Sequence, residues 1–200
     1  MAYNEFTLES AETELGIRAE PGVLFPGLKP LAVPPWLKEF LARGMHLALI
    51  SEKARSEFIV APILLAVRDL TDARVAILSG QRLDVDPVRR LQGECDFILA
   101  LSEPVPRLRS PIMTLVAAKK NDIEAGLGQC MAEMFSAQTY NERAGQSMPA
   151  VCGCVTTGES WLFLRLVGAV VTIDQGKFYI DNVGGILAAM RACIQQAANI

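Results

Sequence analysis

Asp96 and Lys119 sit in surroundings that do not suit them. Asp96 interrupts the apolar run ECDFILALS, and Lys119 and Lys120 close the apolar run PIMTLVAAKKND. A carboxylate in such a strand is costly to bury unless it is paired or binds a cation. Side chains alternate across a strand, so Asp96, Ile98 and Ala100 are expected on one face, with Cys95, Phe97 and Leu99 opposite. By the same rule Lys119 shares its face with Ala117 and Leu115. The plain alternatives are a hydrogen-bonded strand-end aspartate and a solvated strand end before a helix, the latter being the preferred reading of Lys120.

Other chemistries find little support. His46 is the only histidine, so a multi-histidine metal site is excluded, and nothing around it resembles a nucleophile motif. LSGQRLD and VTTGES lack the spacing of a phosphate-binding loop. Cys152 and Cys154 fall on one face of a predicted strand without a second cysteine pair or a histidine, which favours core packing over metal. The five cysteines are odd in number and lie in apolar segments, as reduced, buried thiols do.

The elements that must position Asp96 and Lys119 follow from periodicity. Residues 1–32 contain Pro21, Gly22, Pro26, Gly27 and Pro30 and are expected to form an irregular arm. Residues 33–200 are expected to form a single domain. PPWLKEFLARG should be a short helix ending at Gly44, with MHLALI a strand or linker. SEKARSEFIVAPILLAVRD has Ser51 as N-cap and Phe58, Ile59, Ile63, Leu64 and Val67 on one face, with a kink at Pro62. RVAILSG, ECDFILALS and IMTLVAA read as strands. A helix over 122–141 should turn Ile123, Leu127, Cys130, Met131, Met134 and Phe135 inward. The strands AVCGCVTT, WLFLRLVG and AVVTI follow, and NVGGILAAMRACIQQA closes the chain as a helix. The result is an α/β fold with a mixed central sheet flanked by helices.

Asp96 and Lys119 on consecutive strands resemble the PD-(D/E)XK nuclease superfamily, in which an aspartate and an acid-x-lysine form the metal site. SEKARSEFIVAPIL resembles the opening helix of its type I restriction-endonuclease-like members, GECDFIL their aspartate strand, and LVAAKKNDIEAGLGQCMAEMFSAQTYN their lysine strand and following helix. VCGCVTTGESWLFLRL resembles the hairpin of small proteins in the same group. The resemblance covers roughly residues 50–195. It implies a restriction-endonuclease-like core in α-β-β-β-α-β order and metal-dependent hydrolysis of DNA phosphodiesters. Asp96 and a second acid would hold Mg²⁺ or Mn²⁺ at roughly 2.0–2.1 Å. Lys119 would steady negative charge, Glu52 or Glu57 would support the metal, and Gln129 would stand beside the lysine. Glu52, Arg55 and Glu57 equally suit an ordinary charged helix face.

The departure is Ala117. The position that should carry Asp or Glu has no oxygen to give, so metal binding is expected to be weak or absent. A degenerate nuclease, a variant whose acid at 117 was replaced, a non-catalytic nucleic-acid- or protein-binding module on the same fold, and an acid moved to the helix at Glu124 or Glu133 remain open. Gln129 and Glu133, four residues apart, share a helical face. A sugar- or nucleotide-binding domain is a further alternative, favoured if Asp96 and Lys119 leave opposite faces of the sheet.

The net charge of −3 argues against broad polyanion attraction, although residues 74–120 carry eight basic against five acidic residues. DNA is the partner the resemblance implies. Many members act as dimers on it, but no decisive interface stripe is present here. The longest apolar run, FIVAPILLAV, is too short for a bilayer, and the acidic start lacks the features of a secretory signal, so a cytoplasmic protein is expected.

Overall fold

The structure is a computed structural model that describes residues 3–48, 50–71, 75–102, 108–119 and 122–198. Lys120 and Arg74 lie outside the described residues. An open eight-stranded mixed sheet runs β1 (Arg18–Gly22), β7 (Val170–Asp174), β6 (Ser160–Val167), β5 (Val151–Thr156), β4 (Ile112–Ala118), β3 (Glu94–Ala100), β2 (Ala76–Arg82), and β8 (Phe178–Tyr179) pairs with β6. β2, β3 and β4 form an antiparallel meander. The chain then crosses over through α5 (Leu127–Arg143) to place β5 parallel to β4. Such a parallel step needs a crossover element, and α5 supplies it.

Helices cover both faces, and two cores result. One lies between the sheet and α5, joined by α1 (Leu8–Leu15), and includes Cys95, Ile98, Leu115, Ala117, Met131 and Val155. The other lies under α2 (Pro35–Ala48), α3 (Glu52–Arg55), α4 (Ala61–Asp69) and α6 (Val183–Ala198), and includes Phe97, Leu99, Val116, Cys152, Cys154 and Phe163. All five cysteines are free and buried. Burial holds the Cys95, Cys130 and Cys154 thiols above their ordinary range, so they stay protonated. No helix among the described residues is long and apolar enough to cross a membrane.

Gly44 does not end α2, which runs on through MHLA of the segment expected to be a strand or linker. Gly44 is there for packing: a Cβ at this position would stand 3.3 Å from the Phe58 backbone oxygen and Cβ. The kink expected at Pro62 falls one turn earlier, as a π-helical turn over Ser56–Val60, and Pro62 then sits in the first turn of α4, where it gives up no needed hydrogen bond. The helix expected from Asp122 begins as a single 3₁₀ turn, Glu124–Gly126, and α5 proper starts at Leu127. Phe135 lies at the rim under the Arg89 guanidinium, 5.2 Å from its ring centre, and Ser136 turns inward instead.

Residues 1–32 carry more structure than their prolines and glycines suggest. A turn at Tyr3–Glu5, helix α1 and edge strand β1 precede the proline-rich stretch. α1 is fastened by a capping box at Thr7 and Ser10 and ends on Gly16 in the left-handed conformation. Tyr3, Phe6, Ala11 and Leu15 are buried, and the Tyr3 hydroxyl donates to the Leu83 carbonyl at 2.8 Å. Arg90 ties the segment down: its guanidinium pairs with Glu14 and Glu5 and lies 4.7 Å above the Phe6 ring.

The segment also lies directly on α5 at Gly128, where a Cβ would stand 2.3 Å from the Phe6 carbonyl oxygen. Backbone cannot yield as a flexible side chain does, so Gly128→Ala is expected to cost about 2–4 kcal/mol. Gly176→Ala, with nothing within 4 Å, should be near neutral. Urea unfolding of both variants checks this, and equal effects would show that the segment does not press on α5.

Candidate functional site

β3 and β4 pair from Phe97↔Val116 inward, and the pairing stops there. Beyond that point the strands part, leaving Asp96 and Ala117 at the mouth of a seam. On the other side of Asp96, the β2–β3 ladder pairs Ser79↔Phe97 and Gln81↔Cys95, and Gly80 between them takes φ 64°, a left-handed conformation that glycine adopts without strain. The local irregularity breaks the expected alternation. Cys95 packs in the α5-side core with Ile98, whereas Phe97 and Leu99 pack on the opposite side. The expectation that Cys95, Phe97 and Leu99 share one face is therefore corrected at Cys95, and the expectation that Asp96 shares the face of Ile98 is corrected at Asp96, which opens with Phe97 onto the opposite side.

The Asp96 carboxylate fills the seam. Its Oδ2 accepts from the Ala118 N–H at 2.8 Å, doing for β4 what the next backbone pair would have done. Burial raises its pKa most, with Glu52 and Glu94 adding to the rise. The Ala118 N–H and the Lys119 ammonium pull the other way. On the α3–α4 side Asp96 opens onto a cavity of about 540 Å³ that Glu52, Glu57, Gly80 and Glu94 also line. Glu52 and Glu57 are exposed, and Glu57 stands 4.0 Å from Lys53, so this helix face also forms the weak surface pair expected of an ordinary charged helix.

Lys119 goes the other way, toward α5. Its N–H donates to the Thr156 carbonyl at 2.7 Å, which carries β4 one residue further along β5. The side chain passes Gly126, where a Cβ would stand 3.1 Å from Lys119 Cε and 2.6 Å from Val155 Cγ1, so only glycine leaves this passage open. The ammonium donates to Gln129 Oε1, and Gln129 Nε2 donates to Glu133 Oε1 at 2.8 Å. Glu133 has no exposed surface. Burial pushes its carboxyl up to about 8, opposed by the Gln129 hydrogen bond and the Lys119 charge and reinforced by Asp96. Asp96 and Lys119 thus leave the sheet on different sides, yet each acts electrostatically on the other and on Glu133.

The structure brings together Asp96, Lys119, Gln129 and Glu133. Glu52 and Glu57 are exposed and line the cavity with Asp96, and Glu52 lies near enough to raise the Asp96 carboxyl. Glu124 is exposed and lines a separate cavity of about 410 Å³ with Asp122, Thr157, Glu159, Lys177 and Tyr179. Ala117 is fully buried on the α5 side. Sequence reasoning missed Ser136, whose signal was present: Gln129, Glu133 and Ser136 form a polar row at helical spacing on an otherwise apolar face. Tyr3, whose hydroxyl lies within electrostatic reach of Glu133, had no such signal because 80 residues separate it from its hydrogen-bond partner.

Among the described residues Asp96 is the one carboxylate at the seam, and Ala117 offers no side-chain oxygen. Among the described residues no group of three or more His, Cys, Asp or Glu side chains is placed to hold a metal ion. With alanine at 117, Asp96 is the one present of the two carboxylates that the resemblance implies for a Mg²⁺ or Mn²⁺ site. No family model matches the chain, and no curated protein matches it.

Proposed function

We propose that this chain is a PD-(D/E)XK nuclease-like protein, directed at DNA phosphodiesters in the cytoplasm, whose hydrolytic site is impaired by alanine at position 117. The observation that carries the reading is the seam: a half-buried aspartate and a lysine held by Gln129 lie within electrostatic reach of each other where the β3–β4 pairing ends, in the element order α4-β2-β3-β4-α5-β5. A structural lysine would gain most from a free, solvated ammonium. Here glycine at 126 and an internal amide hold it against the strand end instead. An ammonium has three donors, so two remain for phosphoryl oxygens. Preorganised positive charge of this kind is what a developing phosphoryl charge needs. Binding as a homodimer on duplex DNA goes with this reading.

A second reading, a non-catalytic binding module on the same fold, is favoured by Ala117 itself and by the net charge of −3. The opposite exits of Asp96 and Lys119 keep a sugar- or nucleotide-binding domain in competition. Against it stands the electrostatic reach of the Lys119 ammonium to the Asp96 carboxylate despite those opposite exits.

Mg²⁺ and Mn²⁺ titrated calorimetrically into the parent and into Ala117→Glu, followed by cleavage assays on single- and double-stranded DNA, separate these readings. The variant is expected to bind metal and to cut at least roughly 100-fold faster than the parent, since even an outer-shell partner is worth about 10–100-fold. Equal cutting by both proteins would mean that no ligand is missing at 117. DNA binding without metal uptake or cleavage by either would transfer the assignment to the binding module.

A further inference from the structure

Gln129 has an amide with two different ends, and only one suits Lys119. An ammonium can only donate, so the amide oxygen must face it, and an amide nitrogen in that place would set donor against donor. The turn above settles the matter. Glu133 Oε1 accepts Gln129 Nε2 at 2.8 Å, which pins the nitrogen away from the lysine. Without an acceptor at 133, the Gln129 nitrogen would be buried and unpaired, and the amide would gain nothing by keeping this orientation.

We propose that Glu133 is a positioning residue that aims the Lys119 ammonium by fixing the orientation of the Gln129 amide. The inference rests on the reading of Lys119 as the working cation of this site. It goes beyond that reading by assigning the buried acid on α5 a role that requires an acceptor rather than a negative charge. A carboxyl oxygen accepts from Gln129 whether the acid is ionised or neutral. The surroundings favour the neutral acid. Tyr3 from the N-terminal turn, Cys95 and Asp96 from β3, and Cys130 from α5 itself lie within electrostatic reach of Glu133, and Lys119 is the one cation so placed among the described residues. Glu133 Oε2 has no hydrogen-bond partner among the described residues, so the side-chain hydrogen bond this carboxyl makes is the one to Gln129.

The test needs neither DNA nor metal, so its failure and failure of the nuclease reading are distinguishable. The intact chain and its variants are acetylated with a dilute N-hydroxysuccinimide ester, and modification of Lys119 is followed by peptide mass spectrometry against the exposed Lys38 and Lys177. Glu133→Gln keeps an acceptor in the same place and should leave the Lys119 rate within about twofold of the parent. Glu133→Leu removes the acceptor and should raise the rate roughly tenfold, the loss of a charge-assisted hydrogen bond. Circular dichroism checks that each variant folds, and Glu133→Met carries the same expectation should Glu133→Leu fail to do so. If Glu133→Gln releases Lys119 as fully as the apolar variant does, or if the apolar variant leaves the rate unchanged, the proposal is overturned.

Discussion

The unfolding free energy of this protein is expected to fall by a few kcal/mol as the pH rises from about 5 to about 8. The fall should be absent from the contribution of position 133 in Glu133→Gln. The reason is the raised carboxyl of Glu133, about 8 in the folded chain against an ordinary 4.5. Between those values the folded state holds a proton that the unfolded state has released. Stability therefore decreases with pH: the contribution is fully present below about 4.5, shrinks through the window, and is lost above about 8. Asp96, also raised by burial, acts with the same sign. Each pH unit across the gap is worth about 1.4 kcal/mol per proton, reduced by whatever relaxation lets water reach the carboxyl. Urea unfolding at pH 5, 6, 7, 8 and 9 on parent and variant isolates Glu133, because the remaining titrations cancel in the difference. The variant should be the more stable of the two at pH 8 and above. A difference that does not change with pH would mean that Glu133 is ionised throughout and that its burial is relieved in solution.

The same carboxyl illustrates what could be seen in the chain before the fold was known. Period-3.6 spacing placed Gln129 and Glu133 on one face, and period-2 alternation placed Ala117 with Lys119, and both hold because each lies within a regular element. IMTLVAA coincides with β4, since a fully apolar run bounded by Pro111 and two lysines admits few other boundaries. The failures occur where tertiary contact overrides a local signal. Gly44 reads as a helix stop but serves the approach of Phe58. The prolines and glycines of residues 1–32 read as an irregular arm, yet α1 is held by Tyr3, Phe6 and Arg90, in contacts that span about 80 residues. Asp96 was legible as a residue in the wrong place, but not the direction it faces. That depends on Gly80 in the neighbouring strand and on the end of pairing at Phe97, neither of which leaves a mark on the periodicity of ECDFILALS.

Ala117→Glu, the variant that would restore the absent carboxylate, is expected to be destabilised by about 3 kcal/mol in metal-free buffer. Ala117 has no exposed surface and pairs with Val155 across β4 and β5, in a core already tight enough that Gly126 cannot accept a Cβ. A glutamate there adds volume and brings a carboxylate into a region that already contains Asp96 and Glu133. Lys119, on the same face, offsets part of the cost but is already committed to Gln129. A divalent cation changes the balance only for the charged side chain. With metal at 10–100 times its dissociation constant, the folded state of Ala117→Glu should regain about 1.4–2.7 kcal/mol. Ala117→Gln has nearly the same shape without the charge, and should be destabilised through packing alone and remain indifferent to Mg²⁺. Thermal unfolding of parent, Glu and Gln variants with and without millimolar Mg²⁺ decides the matter. Recovery confined to the glutamate variant would mark position 117 as an empty ligand position facing Asp96 across the seam. Identical responses of the two variants would show that a carboxylate at 117 points into the α5-side core, out of reach of Asp96, and that the chain lacks the geometry of a metal site as well as the ligand.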